Sequence, residues 1–85
     1  MHQVHYDEVI MPTLVVLGNL KIQMFALDHR PPHFHIVTPD GEAVVAIDDF
    51  RVLQGSLRSR DLRMALVWAR ANKARLENEW QRLQG

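Results

Sequence analysis

The sequence predicts an α+β domain: a small antiparallel sheet of three to five strands, then one long or broken C-terminal helix. Three observations carry that expectation. Apolar and polar residues alternate at period two through residues 20–27, 33–38 and 42–47, the pattern of half-buried strands. Asp40-Gly41 sits between the last two runs, and Asp-Gly between apolar runs is a strong hairpin signal. Beyond Ser59 the period lengthens. Leu62, Ala65, Leu66, Ala69, Leu76, Trp80 and Leu83 recur every three or four residues, which puts them on one helical face.

Taken in order, residues 1–10 are polar and poorly periodic and read as an N-terminal extension. Met11-Pro12-Thr13 looks like a natural start, so residues 11–85 are expected to be the domain. His2 and His5 then belong to a tail. Leu14 to Leu17 is a short apolar run, and Gly18-Asn19 is turn chemistry. In the strand predicted over 20–27, Leu20, Ile22, Met24 and Ala26 share one face. Pro31-Pro32 removes two backbone donors and pushes Arg30 towards extended geometry, so the chain must turn a stiff corner there. The strand after it projects His33 and His35 from one face, Phe34 and Ile36 from the other.

If Asp40-Gly41 is the two-residue turn, the register follows. Phe34 then faces Ile47 and Ile36 faces Val45, while His35 faces Ala46 and His33 faces Asp48. Asp49-Phe50 is a second turn and residues 51–53 an edge strand. Ser59 is the expected N-cap, with Asp61 in the first turn where the helix dipole favours an acid. Lys73 falls on the apolar face, so its stem lies along the core or the helix breaks near Asn72. Met64, Val67, Trp68 and Ala71 form a second apolar surface, and a helix apolar on both sides calls for cover on both. Met64, Val67 and Trp68 are therefore the expected interface.

Eighty-five residues suit one small domain, and a 47% hydrophobic, 24% charged composition is that of a globular chain. The absence of cysteine excludes disulfides and thiolate metal sites and fits a cytoplasmic protein. No apolar run approaches about 18 residues and no signal peptide is visible, so no membrane partner is expected. The zero net charge hides a split. Residues 1–50 hold seven acids against Lys21 and Arg30, and residues 51–85 hold eight bases against Asp61, Glu77 and Glu79. Arg58, Arg60, Arg63, Arg70 and Lys73 form a candidate patch for nucleic acid or an acidic partner. A solvated, salt-bridged helix face is the plainer reading of the same residues.

The chemistry concentrates in residues 28–36. His33 and His35 at i, i+2 share a face, and with Asp28 they make a candidate metal set for which zinc is the natural ion. No other cofactor is expected. Without metal, His33, His35 and Asp48 are candidate catalytic residues for acid–base work on RNA, with Arg30 available for phosphate. The sequence has no nucleophile-elbow motif and no phosphate-cradling glycine loop. The plainest reading is a brace, with histidines hydrogen-bonded to neighbours beside Phe34.

The run Asp28-His29-x-Pro31-Pro32-His33-Phe34-His35-Ile36 resembles the signature of a family of small bacterial proteins known as domain of unknown function 4160. The likeness continues through Glu42-Ala43-Val44, Val52-Leu53-x-Gly55-x-Leu57, and Leu62-Arg63 with Trp68-Ala69, covering roughly residues 11–83. It implies a compact sheet with a C-terminal helix and a setting of toxin–antitoxin pairs, and it supplies no established reaction. The expected function is thus a small cytoplasmic interaction module, homo-oligomeric or bound to a cognate protein. The alternative is a His-based hydrolase, a ribonuclease-type toxin using the His33/His35 face. An enzyme needs a solvent-open cleft at the histidines, whereas a binding module can bury them.

Overall fold

A computed structural model describes residues 12–84, so the expected extension with His2 and His5 lies outside the described residues. Five strands run as one antiparallel meander in the order β1-β2-β3-β4-β5. They are β1 (Thr13–Leu17), β2 (Leu20–Gln23), β3 (His33–Thr38), β4 (Gly41–Ala46) and β5 (Val52–Gly55). Two helices follow, α1 (Ser59–Ala71) and α2 (Lys73–Gln84), where the sequence left one long or broken helix open. No described helix is long and apolar enough to cross a membrane.

The core lies between one sheet face and the helices. Leu20, Ile22, Met24, Phe34, Ile36, Val45 and Ile47 pack with Ala65, Ala69, Leu76, Trp80 and Leu83. Phe34, Ile22, Ile36 and Leu76 are wholly buried, and each such side chain contributes about 2 kcal/mol by leaving water. The face expected from the alternation is the face observed.

The hairpin register is not the expected one. Thr38 pairs with Gly41, so Pro39-Asp40 is the turn, and the pairs become His33 with Ala46, Phe34 with Val45, His35 with Val44, and Ile36 with Ala43. Thr38 supplies the reason: its hydroxyl oxygen accepts the N–H groups of Asp40 and Gly41, both at 3.1 Å, and donates to the Gly41 carbonyl. The partner of each β3 residue moves by two, an even number, so every side chain keeps its face. What changes is the neighbour of His33: Ala46 stands where Asp48 was expected.

Other boundaries shift for local reasons. The strand predicted over 20–27 ends at Gln23, because Leu27 takes a positive φ of 56° and its N–H bonds the Leu83 carbonyl instead of a strand. Ser59 is the first helical residue and not the cap. Arg58 occupies the N-cap with extended backbone and no side-chain cap, its carbonyl accepting the Leu62 N–H at 3.0 Å. The helix breaks at Asn72. The Asn72 N–H tightens onto Ala69 O, its amide donates to Trp68 O at 2.9 Å, and its carbonyl accepts the Leu76 N–H that opens α2. The break lets Lys73 reach the Asp48 carbonyl at 2.8 Å, across the Phe50 ring. β5 extends to Gly55, whose φ of 80° suits glycine and where any Cβ would collide with the Glu42 carbonyl.

Candidate functional site

The site begins with the period-two geometry of β3, which puts the His33 and His35 side chains on the same face. Asp28 arrives from the loop before the Pro31-Pro32 corner, in which the Arg30–Pro31 peptide is cis. The end of α2 holds that loop. The Gln84 amide donates to Phe25 O at 3.0 Å and accepts the Asp28 N–H at 2.6 Å, beside the Leu27-to-Leu83 bond. Trp80, one turn earlier on α2, lays its ring 5.1 Å from the His33 ring. A residue 56 positions away thus sets where Asp28 stands.

Three side chains converge there. Asp28 Oδ2 lies 2.9 Å from His33 Nε2 and 3.7 Å from His35 Nε2. One ligand atom from each of Asp28, His33 and His35 lies within 4.8 Å of the others. The opposite ring nitrogens face outward acceptors: His33 Nδ1 donates to Pro31 O at 2.7 Å, and His35 Nδ1 to Glu42 Oε2 at 3.2 Å. The His35 ring stacks on Phe25 with centroids 4.3 Å apart and planes 13° from parallel. His33 is buried at 3% exposure, while His35 and Asp28 are partly buried, at 12% and 17%. His35 Nε2 is buried with no hydrogen-bond partner.

Burial pushes the Asp28 carboxyl up. The His29 backbone N–H, then the His33 and His29 rings, more than offset that cost, so its pKa lies below the ordinary carboxylate value. Chemically, the cluster is a partly buried carboxylate with two oriented imidazoles, able to hold a proton or a cation between them. Beside it the His29 ring is exposed, its Nε2 3.7 Å from Asp28 Oδ1.

Of the residues singled out for metal, Asp28, His33 and His35 are brought together. The catalytic grouping of His33, His35 and Asp48 is not assembled. Asp48 is 75% exposed and pairs with Arg51 at 3.3 Å, and Asp28 takes the place beside His33. Slippage of the hairpin register is the physical reason. Sequence reasoning missed Glu42, Phe25, Trp80 and Gln84. None of the four carried a signal along the chain: Glu42 stands diagonally across the strand pair from His35 only in the observed register.

The basic patch divides. Arg58 bonds Asp40 at 3.0 Å and Asp61 at 3.4 Å, and Lys73 is committed to the Asp48 carbonyl. Arg60, Arg63 and Arg70 are exposed and make no ion pair among the described residues. The expected interface divides too. Met64 and Val67 are exposed, but Trp68 packs against the core with the Arg75 guanidinium 5.7 Å over its ring.

No curated protein and no solved structure matches the chain. A family model matches residues 19–81, somewhat short of residues 11–83 at both ends. The match runs from the β1–β2 turn to the last turn of α2 and takes in both the corner and Trp80. The chain therefore belongs to the family described as Domain of unknown function (DUF4160).

Proposed function

We propose that the protein is a small interaction module that binds a cognate protein through the outer face of α1, in a toxin–antitoxin-like pair. One observation carries the reading: Met64 and Val67 stay 38% and 61% exposed in the middle of a stripe made by Arg60, Arg63 and Arg70. These residues recur at three- and four-residue spacing, the pattern of a helix laid into a groove. The stripe opens at its N-terminal end into a hollow lined by Leu17, Pro39, Arg58, Arg60 and Met64. The complementary surface is an apolar groove with an acidic rim, since arginine forks recognise carboxylates in pairs.

The burial of the histidines supports the same reading over the hydrolase. A catalytic imidazole must reach a substrate proton, and His33 at 3% exposure is covered by Trp80 and Pro31. Co-expression with the product of the neighbouring gene tests the proposal. The expected result is a complex that co-elutes on size exclusion and is lost in Val67→Glu and in Arg63→Glu. A chain that ignores that product, self-associates through this face, or binds RNA through these arginines would replace the reading. RNA cleavage abolished by His35→Ala would establish the alternative, a ribonuclease using the His33/His35 face.

A further inference from the structure

We infer that Asp28, His33 and His35 form a binding site for one divalent cation of the zinc class. The proton count argues for it first. His33 Nδ1 faces the Pro31 carbonyl at 2.7 Å, an acceptor only, so that nitrogen carries a proton. His35 Nδ1 faces the Glu42 carboxylate at 3.2 Å and carries one too. In the neutral rings both Nε2 atoms are then bare lone pairs, and both point at the Asp28 carboxylate. Three electron-rich groups facing one another in a partly buried spot need a positive charge between them. A second proton on His33 serves one pair and leaves His35 Nε2 buried without a partner. A cation serves all three.

Geometry agrees. Zinc held at 2.0–2.1 Å in a tetrahedral shell separates neighbouring ligand atoms by about 3.3 Å. The two carboxylate-to-imidazole separations, 2.9 and 3.7 Å, fall on either side of that value, and all three ligand atoms lie within 4.8 Å of one another. Two imidazoles and one carboxylate are the donor set that zinc and its neighbours in the first transition row accept. Outer hydrogen bonds from each Nδ1 to a carbonyl or carboxylate orient metal-binding histidines generally, and both are in place. A shallow depression lined by His35, Glu42, Val44, Gln54 and Gly55 lies on the outer, Nδ1 side of the His35 ring. The exposed His29 ring is within reach as a fourth donor. Bound there, the cation ties the Asp28 loop to β3, independently of what α1 binds.

The test uses the full chain, stripped with chelator, titrated with zinc and followed by the imidazole nitrogen signals in NMR. One equivalent should bind, moving the Nε2 signals of His33 and His35 while both Nδ1 atoms stay protonated. Cobalt should bind with the intense visible bands of a tetrahedral site. Asp28→Asn, nearly isosteric and so expected to fold, and His35→Gln should each weaken binding by at least about 100-fold, and Glu42→Ala by about tenfold. The pair His2→Gln and His5→Gln should leave binding unchanged. Full zinc affinity in Asp28→Asn, unmoved Nε2 signals at millimolar zinc, or metal lost with His2 and His5 would each overturn the assignment.

Discussion

The Asp28–His35 corner and the outer face of α1 both set ionisable side chains beside apolar ones, to opposite ends. At the corner, two histidines and an acid are pressed into a spot where almost every polar atom has a partner, under Trp80 and against Phe25. On α1, three arginines stand in solvent around Met64 and Val67, and nothing among the described residues engages them. A buried polar group must be satisfied or its desolvation is lost outright, so the corner is constrained by its own energetics. An exposed arginine loses almost nothing by standing alone, so the α1 stripe is free to serve a partner. Residue type alone does not separate an internally constrained corner from a surface open to a partner protein. Burial does.

That contrast breaks most readily at Trp80. Truncating it in Trp80→Ala removes a core side chain and the cover of His33, and stability should fall by about 3–5 kcal/mol. Urea denaturation measures this. A loss below about 1 kcal/mol would mean that α2 does not build the corner. Gln84→Ala should cost less, about 1–2 kcal/mol, for its two bonds to the Asp28 loop. Its more telling readout is the His33 ring signal, which should move because Asp28 is no longer held. An unmoved signal would show that the loop is positioned without α2.

On the other side of the comparison, Val67→Glu should leave stability within about 0.5 kcal/mol of the parent while removing partner binding. A variant that unfolds would place Val67 in the same class as the corner. The smallest expected effect is at the β4–β5 turn. The Arg51 backbone N–H, then, against a smaller cost of burial, its guanidinium, holds the exposed Asp49 carboxylate below its ordinary pKa of 3.8. A lowered folded pKa means a contribution present above the ordinary value and lost as pH falls through the folded one. Wild type and Asp49→Asn should thus differ slightly at neutral pH and converge in acid, as thermal melts across that range would show.

Several features of the fold and the site could be read along the chain. Alternation assigned Phe34, Ile36, Val45 and Ile47 to one face, and the helical period assigned Ala65, Ala69, Leu76, Trp80 and Leu83 to the stripe that meets them. The conflict between Lys73 and the apolar face leaves two ways out, a stem along the core or a break near Asn72, and the chain takes the break. Asp28, His33 and His35 stood out because a proline corner places a histidine strand beside an acid. All of these are local or periodic properties, carried by residues a few positions apart.

Tertiary structure decided the rest. Whether the turn was Asp40-Gly41 or Pro39-Asp40 depended on whether the Thr38 hydroxyl could take the Asp40 and Gly41 N–H groups and reach the Gly41 carbonyl once the strands were paired. That choice moved Asp48 away from His33 and brought Glu42 to His35. The position of Asp28 rests on Gln84 and Leu83 at the far end of the chain, and Trp68 is covered by Arg75 from the next helix. Contacts of this kind join residues that no period relates. They exist only when the helices dock on the sheet and every buried donor must find an acceptor.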